Sequence, residues 1–282
     1  MFRHWRKRQQ DAGLDPDVHE QVERLDMSDL MPPLRKMDVG LNMFKNATHV
    51  ILDSNAFDKM IAVPNLQKIQ VLSLERNLIK RIACLEEIGA TLKELRLSHN
   101  LISSVKGVQC CPVLEVLLLA GNQISNWDEL LNPASPINCC TELSTVSFHG
   151  NPLYANLSKG QASLKVLEAL PAISCLDGQD ITVKTVSASR IDASILRVTC
   201  CDLNGEVTAS VEMPGAAKAW EIQASLLDSV GLARLVLTDG RLLSDALASN
   251  PVITLEELLC VPAEFQEDAS LVEVLEGKVC VA

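Results

Sequence analysis

The 282-residue sequence predicts an α/β protein: a coil of short parallel strands with a helical cap at each end, followed by a small α+β domain. Three observations lead to this prediction. A pattern of leucines and one asparagine recurs at a near-constant spacing through the first half of the chain. Hydrophobic residues make up 48% of the sequence but aromatic residues only 3%, so the core must be aliphatic, as stacked repeats require. Beyond about Ser189 the pattern ends, and an alternation typical of strands replaces it.

The repeat follows the template L-x-x-L-x-L-x-x-N-x-I-x-x-I, in which x stands for any residue. One copy places Leu72 and Leu74 on the strand positions, and Ile79 follows the asparagine. The asparagines of five copies are Asn55, Asn77, Asn100, Asn122 and Asn151, which lie 22, 23, 22 and 29 residues apart. A single repeat cannot bury its apolar face, so the period indicates a leucine-rich-repeat solenoid with one parallel strand per repeat. The longer last step holds an insertion around 132–136, whose two prolines predict a loop.

Each repeat asparagine follows directly on a strand. An amide side chain at this point can bond to the backbone groups that a tight turn leaves unpaired. We therefore assign these five asparagines a structural role rather than a binding role.

Both ends of the solenoid need caps. Residues 1–16 begin with a basic run and are expected to form a flexible, solvated arm. The repeat domain with its caps is predicted to span 17–190. Apolar residues at helical spacing within 17–25 predict the N-terminal cap, and Leu164, Leu167 and Leu170 predict a helix in the C-terminal cap.

Side chains that alternate with the inward leucines face away from the coil. Four of them are apolar although the predicted coil does not bury them. They are expected to form an exposed patch edged by charged residues. Such a patch suits a protein partner, although scattered surface aliphatics often have no function. The candidate binding residues are Ile51, Val71, Glu75, Glu94, Arg96, Val116 and Leu118.

A second domain is predicted over 195–262. Two alternating runs flank Asn204-Gly205, which is a hairpin signal. A helix-like run with Trp220, Ala224 and Leu227 on one face follows, and then a third strand around Leu235. Hairpin, helix and strand open a β-grasp fold, so this domain weakly resembles ubiquitin. The chain lacks a terminal Gly-Gly, which favours an interaction module, and 263–282 is an acidic tail.

Charge is distributed unevenly. Of the net charge of −11, the segment from Asp192 onward contributes 15 acids and 5 bases, a net of −10. This acidity disfavours nucleic acid as a partner. No run approaches the ~18 apolar residues of a membrane helix, so no membrane partner is expected. The ten cysteines contain no Cys-x-x-Cys and are expected to be reduced, mostly buried hydrophobic residues.

The sequence contains no recognisable catalytic motif. The five histidines are far apart in sequence, and His49, His99 and His149 fall on separate repeats. There is no serine elbow, phosphate loop or His-Glu-x-x-His metal motif. The sequence therefore predicts a protein that is not an enzyme and that carries no cofactor or metal.

Several segments carry a family resemblance. They are Met31-Pro32-Pro33-Leu34-Arg35-Lys36-Met37-Asp38, the runs 72–80, 120–127 and 150–154, and the cap from Leu170-Pro171 to Asp177-Gly178. Over about 18–182 the chain resembles the light chain 1 family of axonemal outer-arm dynein. Among leucine-rich-repeat families, the Met-Pro-Pro segment and Asn126-Trp127 are the features that indicate this one, because the other motifs are generic to leucine-rich repeats.

The resemblance implies a non-catalytic light chain that binds an axonemal dynein heavy chain near its microtubule-binding region, contacts tubulin and regulates ciliary and flagellar motility. It implies the strand face as the partner face, and a location in the cytoplasm, cytoskeleton and axoneme. This chain departs from the family at Arg96, where a large aromatic residue is usual. An acidic module also replaces the family's short basic tail, which weakens any contact of that tail with acidic tubulin.

Two other protein classes remain open from the sequence. One tubulin-folding cofactor also joins leucine-rich repeats to a ubiquitin-like domain, but its glycine-rich module is missing from this sequence. Phosphatase-regulating adaptors form the other class, and they usually have more repeats.

Overall fold

The computed structural model describes residues 1–11, 15, 18–192, 194–202, 204–218, 221, 225–226, 233–237, 241, 243–250 and 253–259. The chain divides into two compact units, Met1–Ile181 and Thr182–Ala282. Among the described residues, no helix has both the length and the apolar character needed to cross a membrane.

One sheet of eight short strands forms the first unit, and the strands follow one another in the sheet as they do in the chain. Strands β1 to β7 are parallel, each paired with the next, and β8 runs antiparallel to β7. Parallel strands one repeat apart confirm the predicted leucine-rich-repeat coil. The strands are β1 (Arg24–Asp26), β2 (His49–Ile51), β3 (Val71–Ser73), β4 (Glu94–Arg96), β5 (Val116–Leu118), β6 (Thr145–Ser147), β7 (Cys175–Leu176) and β8 (Gln179–Asp180).

The core of this unit is a ladder of aliphatic side chains, as predicted. The middle residue of each strand and the residue two places later both point into the coil, because side chains alternate along a strand. Burying each of these side chains contributes about 1.5–3 kcal/mol to folding. The ten rungs that β2 to β6 supply are Val50, Leu52, Leu72, Leu74, Leu95, Leu97, Leu117, Leu119, Val146 and Phe148, all at most 3% exposed.

The asparagines form a second, polar ladder beside the aliphatic one. The Asn100 Oδ1 accepts a hydrogen bond from the Ile79 backbone N–H at 2.9 Å. Its Nδ2 donates to the backbone oxygens of Leu74 at 2.9 Å and Leu97 at 3.0 Å. Each bond set joins one repeat to the one before it, and the other four asparagines repeat the pattern. These bonds between repeats are the contacts that the predicted structural role requires.

The start of the chain differs from the predicted flexible arm. Phe2–Asp11 form helix α1, whose Trp5 is buried and packs edge-on against Phe44, with 5.0 Å between ring centroids. Burial of a large aromatic side chain favours the ordered helix, while the basic side chains stay in solvent. The cap helix predicted within 17–25 is also replaced by other elements. A 3₁₀ helix at Val18–Gln21 leads into β1, whose Leu25 is fully buried as the first rung of the core.

The C-terminal cap contains the predicted helix. Helix α2 (Asp128–Leu131) and a 3₁₀ helix (Pro136–Cys139) flank the loop of the insertion. Helix α3 (Lys159–Ala169) begins with a capping box in which Ser158 and Gln161 bond to each other's backbone N–H groups. Further 3₁₀ helices are Val39–Met43, Val108–Cys110 and Pro152–Tyr154.

The second unit contains a four-stranded sheet in the order β11–β10–β9–β12. Strand β10 is antiparallel to β9 and β11, whereas β12 is parallel to β9. Side chains such as Val198 and Leu235 pack together on one face of the sheet. The elements are β9 (Thr182–Arg190), β10 (Ile195–Cys201), β11 (Val207–Pro214), β12 (Ala233–Leu237), α4 (Leu243–Ser249) and α5 (Leu255–Leu258).

The boundary between the units lies earlier than predicted. The segment 182–190 does not close the repeat domain but forms β9, which lies between β10 and β12. The segment has too few apolar residues for its sequence to indicate a strand. In the structure, Val186 is its only fully buried side chain. The hairpin at Asn204-Gly205 is confirmed.

A β-grasp fold over 195–262 is not confirmed. The predicted hairpin and third strand are present, but the helix predicted around Trp220, Ala224 and Leu227 lies outside the described residues, as does the acidic tail 263–282. The ubiquitin-like assignment therefore stays a prediction.

Candidate functional site

The strand face carries two rows of outward side chains. Because β2 to β6 pair in strict register, equivalent residues stand side by side on neighbouring strands. The first row reads His49, Val71, Glu94, Val116 and Thr145, and the second reads Ile51, Ser73, Arg96, Leu118 and Ser147. All the predicted binding residues except Glu75 belong to these rows, so the predicted alternation of inward and outward side chains is correct.

The charged residues are placed differently from the prediction. Glu94 and Arg96 were expected at the edge of the apolar patch, but they lie on β4, between the strands that carry Val71 and Val116. The Arg96 Nη2 donates to the Glu94 Oε2 at 2.6 Å, which forms an ion pair within one strand. The pair divides the apolar residues into two groups: Ile51 with Val71, and Val116 with Leu118.

The two apolar groups differ in exposure. Val71 is only 8% exposed, so its neighbours cover it and it offers little surface to a partner. Ile51, Val116 and Leu118 are half-buried. Adjacent strands stand about 5 Å apart, which lets side chains on the same face cover one another. The accessible apolar surface is therefore centred on Val116 and Leu118 rather than spread over all four residues.

Asp53 anchors the N-terminal part of the face. Its Oδ1 accepts a hydrogen bond from the Ser73 hydroxyl at 2.6 Å and from the Glu75 backbone N–H at 2.8 Å. Ser73 is only 2% exposed, so water does not reach its hydroxyl and the bond to Asp53 satisfies it instead. Glu75 lies just beyond the end of β3.

Asp177 closes the other end of the face, and the sequence marked it only as part of the cap. Its Oδ1 accepts from the Phe148 and His149 backbone N–H groups at 2.7 and 3.0 Å and from the Ser147 hydroxyl at 3.1 Å. The Tyr154 hydroxyl donates to its Oδ2 at 2.9 Å. Burial and the charge of Asp177 both raise the pKa of Tyr154 above its usual range.

This arrangement is a hydrogen-bonded cap rather than a catalytic group. Ser147 and His149 both meet Asp177, but the same imidazole nitrogen, Nδ1, faces the hydroxyl at 3.0 Å and the carboxylate at 3.5 Å. A relay needs one ring nitrogen for each partner. Within the part of the chain that the structure describes, no group of three or more His, Cys, Asp or Glu side chains could hold a metal ion.

No family model matches the sequence. The chain is 32% identical over 170 residues to "Dynein axonemal light chain 1" of Chlamydomonas reinhardtii, an alignment that covers 59% of this chain and 84% of that protein. It is 34% identical over 152 residues to the protein of the same name in Danio rerio, covering 54% and 77%. A solved leucine-rich-repeat protein of Leptospira interrogans matches at a TM-score of 0.37 and 19% identity over 51% of this chain and 40% of that one, which is too slight to bear on the fold.

The aligned part is nearly as long as the first unit of this chain. With 32% identity over 84% of the Chlamydomonas protein, the chain belongs to the dynein axonemal light chain 1 family.

Proposed function

We propose that this protein is a non-catalytic dynein light chain that binds an axonemal dynein heavy chain near its microtubule-binding region and so regulates ciliary and flagellar motility. The relatives, named as axonemal dynein light chains, support the role and a location in the axoneme. The observation that carries the proposal is the strand face, where Val116 and Leu118 form a half-buried apolar surface on β5.

The surroundings of these two residues suit a protein partner. Thr145 and Ser147 stand beside them on β6 and are uncharged, while the Glu94–Arg96 ion pair stands on the opposite side. An apolar centre with polar neighbours is the usual anatomy of a protein interface. The ion pair would set the orientation of the partner more than its affinity, because exposed pairs contribute only about 0–1 kcal/mol.

Tubulin enters this proposal as a second partner, reached where the heavy chain meets the microtubule. The chain departs from its family here, since 15 acids and 5 bases follow from Asp192 onward. Tubulin is itself acidic, so this segment does not favour direct contact. We propose the heavy chain as the main partner.

The test is a pull-down from detergent-extracted axonemes with the tagged full-length chain, followed by mass spectrometry. We expect an axonemal dynein heavy chain to be recovered. Leu118→Glu should abolish this recovery, because a charge in the apolar centre would be buried unpaired in the complex. Leu131→Glu is the matched control: Leu131 is 41% exposed on α2, away from the strand face, and should bind as the unchanged protein does.

Recovery of free tubulin dimers or of phosphatase catalytic subunits in place of a heavy chain would overturn the proposal and favour one of the alternative classes. Equal loss of binding by both variants would place the contact elsewhere than the strand face.

A further inference from the structure

A second surface follows the asparagine ladder. In each of three successive repeats, the backbone N–H of one buried residue donates a hydrogen bond to the asparagine Oδ1 of the next repeat. Leu34 donates to Asn55 at 2.9 Å, and Phe57 donates to Asn77 at 3.1 Å. Ile79 donates to Asn100 at 2.9 Å. Two solvent-exposed residues follow each of these positions, and then a buried one. Equal bonds and equal burial place these exposed pairs in register on adjacent repeats.

The exposed pairs form two short rows with an unusual charge. One row reads Lys36, Lys59 and Arg81, and the other reads Arg35, Asp58 and Lys80. Five of the six side chains are cations, and the first row contains no carboxylate. Neighbouring repeats in a parallel ladder stand about 5 Å apart. We call these six residues the basic ledge.

The basic ledge is an uncompensated cluster. Among the described residues, no carboxylate forms an ion pair with any of its five cations. Like charges side by side on adjacent repeats repel and cost stability, as they do on adjacent strands. Elsewhere the same solenoid pairs opposite charges across neighbouring repeats, as between the Lys93 Nζ and the Glu115 Oε1 at 2.6 Å. The row of three cations has no such carboxylate opposite it, and an outside anion would relieve the repulsion.

A groove continues the basic ledge toward the next repeats. It has a volume of about 570 Å³ and is lined by Lys80, Arg81, Leu101, Ser103 and Gln123. Leu78 precedes Lys80 by two residues in the same repeat, and it is 48% exposed. The groove thus combines cations with an apolar side chain and with hydroxyl and amide groups.

We propose that the basic ledge and its groove bind a short acidic peptide segment of another protein. The cations of the ledge receive its carboxylates, and Leu78 and Leu101 receive an apolar side chain. From Lys36 to Gln123 the surface crosses five repeats, or about 20 Å, which an extended peptide of about six residues spans. This surface is separate from the strand face, so the proposal does not depend on heavy-chain binding.

A peptide suits the surface better than a nucleic acid does. None of the residues of the basic ledge or the groove is aromatic, and single-stranded nucleic acids bind largely through stacking on aromatic rings. The net charge of −11 also repels a long polyanion. A short acidic segment needs only the local field of the ledge.

Fluorescence anisotropy of a labelled oligoglutamate peptide of about eight residues tests the proposal with the full-length protein. We expect saturable binding at about 0.15 M salt, weakening as salt increases. The triple variant Lys36→Gln, Lys59→Gln and Arg81→Gln should weaken binding about tenfold or more, because it removes the charge-assisted hydrogen bonds of the ledge. Its melting temperature should stay equal or rise, since the change relieves repulsion.

The matched control is the triple variant Lys45→Gln, Lys68→Gln and Lys106→Gln, which removes the same charge from exposed positions outside the ledge. It should retain the affinity of the unchanged protein. Equal weakening in the two variants would overturn the proposal, because binding would then follow net charge alone. Tighter binding of an oligothymidylate of similar length than of the peptide would also overturn it, as would the absence of peptide binding.

Discussion

The imidazole of His99 lies against the backbone of Gly121, on the neighbouring repeat: a Cβ built on Gly121 would stand 2.6 Å from the His99 Nδ1. Both residues directly precede a repeat asparagine and have positive φ angles, 57° for His99 and 64° for Gly121. The chain leaves each strand through a left-handed residue, and at Gly121 the neighbouring ring leaves no room for a side chain.

Gly121→Ala should therefore lower the free energy of unfolding by about 1–2 kcal/mol from the left-handed backbone alone, with a further cost for displacing the imidazole. His99→Ala removes the obstacle but not the backbone cost. Urea unfolding of both single variants and the double variant should show that the double change costs less than the sum. Simple additivity would mean that the ring moves aside freely.

The asparagine ladder makes a second prediction. Asn100→Ala removes an acceptor for the Ile79 N–H and a donor to two backbone oxygens, all of them buried. Since each unsatisfied buried group costs about 1–3 kcal/mol, the loss in the free energy of unfolding should be about 3 kcal/mol. Asn65→Ala is the control, because Asn65 is exposed and its side chain donates one long bond of 3.4 Å. A similar effect of both variants in urea unfolding would contradict the structural role of the ladder.

Two adjacent leucines at the end of β5, Leu118 on the strand and Leu119 just beyond it, should respond in opposite ways to the same change. Leu119→Glu should unfold the solenoid, because Leu119 is fully buried and the new charge would have no partner. Leu118→Glu places the charge on the outward, half-buried face and should leave the fold intact. Circular dichroism distinguishes them, and two equally folded variants would show that the strand register is wrong.

Tyr154 provides a spectroscopic probe, because the chain contains one tyrosine. Burial and the Asp177 charge raise its pKa in the folded state, whereas an unfolded tyrosine titrates near about pH 10. Stability from this shift is fully present below pH ~10 and is lost as the pH rises through the folded-state value. Absorbance at the phenolate band should thus stay low at pH ~10 until the protein unfolds.

Asp177→Asn should move the ionisation of Tyr154 to lower pH, because it removes the negative charge that opposes phenolate formation. Burial remains, so the ionisation should still lie above that of free tyrosine. Ionisation of the unchanged folded protein at the pH of free tyrosine would contradict this placement of the hydroxyl.

The cysteines are expected to differ in reactivity within adjacent pairs. Cys111 and Cys140 are buried, and burial raises the pKa of their thiols to about 12 and about 11, so neither forms the reactive thiolate at pH ~8. Cys139 is exposed. Alkylation followed by peptide mapping should label Cys139 while Cys111 and Cys140 stay protected until denaturant is added. Labelling of Cys140 in the native protein would contradict its placement in the core.

The prediction that most cysteines are buried was only partly correct. Of the eight cysteines in the described residues, Cys111, Cys140 and Cys200 are buried, and Cys139 is exposed. Two neighbours in sequence point in different directions, so composition alone does not say which of them faces the core.

The repeat spacing and the identity of the inward residues by themselves determined the solenoid, its strand register and the role of the asparagines, because each repeat has only one face that can be buried. Tertiary structure alone decided two other features. Helix α1 forms because Trp5 packs against Phe44, which is distant in sequence. Strand β9 joins the second sheet although few of its residues are apolar. Each of these depends on which segments become neighbours in space, and a periodic pattern along the chain carries no information about contacts that do not follow its period.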